Sequence, residues 1–97
     1  ESLRFNTSAQ RFKRTLTRDV ELHGRRMKAG DAVCLTYGSA NRDERQFPDP
    51  DRYDLDRKPR GHLGFGSGVH ACLGSMMARQ VLRVAFEEFH KVFPRYR

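Results

Sequence analysis

The sequence predicts an α+β fold, and three stretches carry that prediction. Val33, Leu35 and Tyr37 alternate with Ala32, Cys34 and Thr36, the two-residue period of a strand with one strongly apolar face. Met77, Val81 and Val84 stand beside Ala78, Leu82, Ala85, Phe89 and Val92 at helical spacing, with Arg79, Arg83, Glu87 and Lys91 opposite. Between these two, residues 38–60 hold Asn41-Arg42-Asp43 and Phe47-Pro48-Asp49-Pro50-Asp51, turn formers and prolines that forbid a regular helix interior.

Taken from the start, Glu1-Ser2-Leu3-Arg4-Phe5 reads as the tail of a helix that no capping residue opens, which predicts a fragment of a longer protein. From Arg14 to Leu22, Thr15, Leu16, Thr17 and Val20 favour extended structure, and His23-Gly24 turns the chain into a hairpin. Lys28-Ala29-Gly30-Asp31 is a second turn, leading into the strand of Cys34, which is read as a buried structural thiol. The irregular stretch from Gly38 is long for a compact domain, so Phe47 and Tyr53 are expected to anchor it. The last helix is expected to carry Cys72 at its N-terminus, to pair Glu87 with Lys91, and to close at Pro94.

Composition narrows the function classes. A chain of 97 residues makes one small domain, and its 2 cysteines make no disulfide scaffold, so a reducing, cytoplasmic setting is expected. No apolar run approaches the roughly 18 residues that span a bilayer, and Glu1-Ser2-Leu3-Arg4 lacks the apolar core of a signal peptide. The net charge of +7 is spread over the chain, which suits a solvated surface, an acidic protein partner or an anionic cofactor. No helix-turn-helix, zinc-finger or RNA-recognition signature accompanies it, which argues against nucleic acid.

The most informative segment is Phe65-Gly66-Ser67-Gly68-Val69-His70-Ala71-Cys72-Leu73-Gly74, a glycine-studded loop that delivers a cysteine to the mouth of a helix. The unpaired N–H groups and positive dipole end there favour a thiolate, hence a soft-metal ligand or a nucleophile. Zinc wants three or four ligands, and His70 with Cys72 supplies a tight pair. A nucleophile wants a base and an oxyanion hole, which His70 and the glycine loop could furnish. A buried structural thiol is the usual fate of a free cysteine, but the surrounding glycines disfavour it here. The fourth option is a haem thiolate: Gly66, Gly68 and Gly74 would let backbone N–H groups approach the sulfur and a flat macrocycle lie close, with Phe65 shielding the sulfur from water.

These ten residues resemble the haem-binding signature of the cytochrome P-450 superfamily, Phe-Gly-x-Gly-x-His/Arg-x-Cys-x-Gly, at every fixed position. Glu1-x-x-Arg4 resembles the Glu-x-x-Arg of the family's K helix. Asn41-Arg42-Asp43 through Phe47-Pro48-Asp49-Pro50-Asp51-Arg52-Tyr53-Asp54 resembles the meander of its soluble bacterial members. The order of the motifs is the family's order. Ala9 where many relatives have proline, Glu44 after Asn-Arg-Asp, and Gln80-Val81 in place of a frequent Leu-Glu pair are departures, and none touches the cysteine.

The resemblance implies a mainly helical parent fold, of which residues 1–97 supply the end of the K helix, β-hairpins, the meander, the ligand loop and one long C-terminal helix: an incomplete, haem-binding portion of the domain. It implies haem b (iron protoporphyrin IX) as cofactor, with Cys72 as its catalytic proximal iron ligand and Phe65, Gly66, Gly68, Gly74 and Ala78 lining it. His70 and Arg14 would each meet a propionate, Arg14 through a bidentate fork. Glu1 and Arg4 would form a structural network with either Arg52 or Arg57. The implied activity is oxygen insertion into a small organic substrate, with electrons from a ferredoxin-type donor docking at Arg60, Arg79 and Arg83, and no membrane or nucleic-acid partner. The isolated chain is expected to be inactive, since relatives are much longer. The alternatives are a truncated, non-catalytic basic interaction module and a cysteine-nucleophile hydrolase.

Overall fold

The computed structural model describes residues 1–95 and divides the chain into two compact units, Glu1–Gly66 and Ser67–Arg97. The first unit opens with one helical turn, α1 (Ser2–Phe5), followed by the strands β1 (Arg11–Thr15), β2 (Val20–Leu22), β3 (Arg25–Met27) and β4 (Ala32–Thr36) and a second short helix, α2 (Tyr37–Ala40). β1 and β4 pair antiparallel in a register that sets Arg14 opposite Val33. β2 and β3 form a hairpin set between them in the chain. Its two-residue turn has positive φ at both His23 and Gly24 (49° and 73°), as a type I′ turn requires.

The extended segment expected from Arg14 to Leu22 is therefore broken in two. β1 starts earlier, at Arg11, and ends at Thr15. Beyond it Leu16 still exchanges hydrogen bonds with Gly30 and Asp31 (2.8 and 3.0 Å), and Asp19 accepts the N–H of Ala29 (2.8 Å), so the chain turns out of the ladder before β2. Tyr37 leaves the strand as well. It begins α2, buried at 9% exposure with its ring 5.2 Å from that of Phe12, and its carbonyl accepts the N–H of Asn41. Cys34 is exposed rather than buried, because the two-stranded ladder has no second layer over that face within its unit.

The core of this unit is unusual for a small fold. Only Tyr37 and Phe47 are buried apolar side chains among the described residues, and beside them lie the buried polar residues Arg4, Thr7 and Asn41. Burial of polar atoms costs free energy unless each finds a partner, and every buried side-chain nitrogen and oxygen among the described residues has one. Phe47, 4% exposed, lies under the Arg4 guanidinium at 5.3 Å. Tyr53 packs edge-on against Phe5 at 5.2 Å and shares a hydrogen bond with Ser2. Both aromatics thus pin the irregular stretch to α1, the anchoring role expected of them.

The second unit holds a 3₁₀ turn (Gly68–His70) and the long helix α3 (Ser75–Val92), with Phe93 as its C-cap just before Pro94. No residue of α3 is buried, although Met77, Val81, Leu82, Val84 and Phe89 make an apolar stripe. The expected Glu87–Lys91 pair is replaced by Glu88–Lys91 at 2.6 Å and Arg83–Glu87 at 3.8 Å. Three- and four-residue spacings both bring side chains together on a helix, and the closer acid captured the lysine. Among the described residues no helix is long and apolar enough to cross a membrane.

Candidate functional site: a cysteine loop and an arginine network

The loop that delivers Cys72 spans the end of the first unit and the start of the second. Its upstream end closes a tight turn, Gly66 N–H to Leu63 carbonyl at 2.9 Å, with Gly66 at φ 71°. Gly68 follows at φ 60° and starts the 3₁₀ turn, closed by Ala71 N–H to the Gly68 carbonyl at 3.0 Å. Side chains at these two positive-φ positions would strain the backbone, so the glycines of the motif are needed for the path itself. Cys72 lies one turn upstream of where the sequence placed it: α3 begins at Ser75 with Gly74 as its N-cap, and the Cys72 carbonyl accepts the Ser75 N–H at 3.2 Å. Its thiol is exposed, as is His70 two residues earlier, while Ala78 is half-buried one turn into α3.

Among the described residues no three His, Cys, Asp or Glu side chains gather as a metal site.

In the first unit the structure joins Glu1, Arg4 and Arg57. Arg4 is fully buried and grips Glu1 with two bonds, Nε to Oε2 at 2.9 Å and Nη2 to Oε1 at 2.6 Å. Arg57 reaches the same carboxylate at 3.3 Å, and the Asp54 N–H donates to it at 3.2 Å. Arg52 is exposed, and its place in such a network is taken by Arg57. The Arg4 bonds hold the Glu1 carboxyl down at about 2, against the opposing cost of burial and with help from the Asp54 N–H and the Arg57 charge.

The proline-rich stretch completes the network in a way its composition hides. Pro48, Asp49 and Pro50 present three successive carbonyls: Arg57 donates to the first two (2.7 and 2.9 Å) and Arg4 to the third (3.0 Å). Proline has no N–H to offer, so such a stretch is held by its carbonyls alone, and guanidinium groups suit that task. Arg42 closes the far side, lying 4.2 Å over the Phe5 ring and bonding Asp51 at 2.6 Å.

Arg14 projects from β1, half-buried, with its guanidinium 5.8 Å from the Phe12 ring and donating to the Lys13 carbonyl at 2.9 Å. Phe65 is half-buried in the first unit. Sequence reasoning assigned no role to Thr7, Asn41 and Gly64. Asn41 is fully buried, and a Cβ added at Gly64 would stand 2.5 Å from the Leu3 carbonyl oxygen. Asn41 stood inside a quoted motif, so a signal was present, but its partners are distant in sequence.

Solved structures superimpose on nearly all of this chain. The enzyme CYP109E1 of Bacillus megaterium, solved in complex with testosterone, matches with a TM-score of 0.93 at 38% identity, over 97% of this chain and 26% of its own. The himastatin hydroxylase HmtN matches at 0.92 and 45% identity, over 96% of this chain and 25% of its own. In sequence, the cytochrome P-450 CYP199A2 of Rhodopseudomonas palustris is 56% identical over 79 residues, 81% of this chain and 19% of that protein. The methyl-branched lipid omega-hydroxylase of Mycobacterium tuberculosis is 50% identical over 95 residues, 97% of this chain and 22% of that protein. The cytochrome P-450 family model matches residues 1–93, and the chain belongs to that family of haem-dependent oxidoreductases. It spans about a fifth to a quarter of the length of these relatives.

Proposed function

We propose that residues 1–97 are the C-terminal, haem-ligating portion of a haem-thiolate monooxygenase, in which Cys72 would ligate the iron of haem b. The observation that carries the reading is an exposed thiol at the end of a path in which Gly66 and Gly68 both take positive φ, a conformation that favours glycine. When bound, the haem supplies dioxygen activation for insertion into a C–H bond. The chain's own residues would hold the group: Cys72 would supply the thiolate, Phe65 would shield it from water, His70 and Arg14 would bind the propionates, and Gly74 and Ala78 would leave room for the macrocycle. Several relatives are named as hydroxylases, which supports oxygen insertion as the parent activity.

The test is the reduced, CO-bound Soret band of the haem-loaded chain. A band at the long-wavelength position of thiolate ligation that is lost in Cys72→Ser supports the assignment. Its absence in the wild type, or its survival in the variant, refutes it. The 97 residues alone should turn over no substrate, because most of the relatives' length has no counterpart in them.

The substrate of the parent enzyme would be a small organic molecule, and its electron donor an acidic, ferredoxin-type protein. Arg79 and Arg83 lie one turn apart on α3, and Arg60 adds charge in the first unit; the net charge of +7 supports such a donor. Charge reversal at these three arginines should slow reduction at low salt, and an unchanged rate would sink the assignment.

A further inference from the structure

We propose that Asn41, together with Thr7, is a positioning residue that fixes where the cysteine loop departs from α1. This deepens the reading of Cys72 as an iron ligand and rests on it. The Leu63 N–H can only donate, and it donates to Asn41 Oδ1 at 2.6 Å, which fixes the side-chain amide's orientation. Asn41 Nδ2 must then face Thr7, and it donates to the Thr7 hydroxyl at 2.5 Å. The Thr7 hydroxyl, accepting that bond, has its own proton for the α1 carbonyls of Leu3 and Arg4, at 3.2 and 3.1 Å. One direction of hydrogen bonding thus runs from the loop backbone through Asn41 and Thr7 into the end of α1.

The backbone of Asn41 ties in the rest. Its carbonyl accepts from Arg4 Nη1 at 2.7 Å and its N–H donates to Tyr37 at 2.9 Å, so a residue with no exposure engages both side-chain polar atoms and both main-chain groups. Aspartate would keep the acceptor and lose the donor, serine is too short, and alanine strands both Leu63 and Thr7. Gly64 is the matching surface: without a side chain it lies against the same Leu3 carbonyl that Thr7 reaches. Leu63 and Gly64 lead directly into Phe65-Gly66, so the position of Leu63 sets where the chain's path to the cysteine begins.

The test compares Thr7→Val, which keeps the shape of the side chain and removes the hydroxyl, with Thr7→Ser, which restores it. Amide hydrogen exchange in the full chain reads the bond directly and needs no haem. Thr7→Val should speed exchange of Leu63 by about tenfold while the β1–β4 amides keep their protection, and Thr7→Ser should return Leu63 to the wild-type rate. In the haem-loaded chain Thr7→Val should also lower the thiolate fraction of the CO-bound Soret band at equal haem content. An unchanged Leu63 rate, equal loss throughout the β ladder, or an unchanged thiolate fraction overturns the proposal. Cys72→Ser fails or passes separately, so loss of the haem reading with Leu63 behaving as described is a distinct result.

Discussion

Acid should loosen the first unit through one carboxyl group, that of Glu1. Its side chain is 3% exposed and its carboxyl is held at about 2 rather than 4.5, chiefly by hydrogen bonds from Arg4. A group whose folded value lies below its unfolded one contributes stability that is complete above the unfolded value and is lost as the pH falls through the folded value. After allowance for solvent screening, that contribution is about 1–2 kcal/mol, present near neutrality and lost between about pH 5 and pH 2. Glu1→Gln keeps the volume and removes the charge. It should therefore be less stable at pH 6 by about 1–2 kcal/mol, with the gap to wild type closing as the pH approaches 2. Asp43, held at about 2 by Arg45, titrates in the same range, but it is common to both proteins and drops out of the difference. Urea unfolding across pH 2–6, followed at the β1–β4 amides, measures that difference. Parallel loss of stability in the two proteins, with a constant gap, would refute the role given to Glu1.

Other expectations follow from the same contacts. Arg57→Leu removes a guanidinium that binds Glu1 and the carbonyls of Pro48 and Asp49, and it should cost about 2–3 kcal/mol in urea unfolding, whereas Arg52→Leu should cost less than about 0.5 kcal/mol. Equal costs would contradict the geometry. Gly64→Ala forces its new methyl group onto the Leu3 carbonyl oxygen, a backbone atom that cannot swing aside, and should destabilise by about 1–3 kcal/mol. A neutral result in thermal unfolding would show that the loop can lift away from α1 freely.

Much of the molecule is legible from local pattern. The apolar spacing of α3, the His23-Gly24 turn and the alternation of β4 depend on neighbours a few positions apart, and each element is found, with β4 ending at Thr36 and α3 starting at Ser75. The failures share a cause. The segment from Arg14 to Leu22 reads as one strand because its residues favour extension, but β1 pairs with β4, and that partner lies beyond the hairpin. Tyr37 continues an alternating pattern yet enters α2, because burial against Phe12 outweighs strand propensity. The choice between Arg52 and Arg57 has no local signal at all: both are arginines in a turn-rich stretch, and only the fold brings one of them to Glu1.

For the cysteine motif, short spacings carry much of the reading: a glycine-studded loop leads to a cysteine ahead of a long amphipathic helix. The burial of three polar side chains in the first unit comes instead from its fold. Arg4, Thr7 and Asn41 look like ordinary surface residues by type, and they are buried because each meets partners more than thirty positions away. A buried polar group is stable only when its hydrogen bonds are complete, and completeness is a property of the assembled fold that no local stretch of sequence contains.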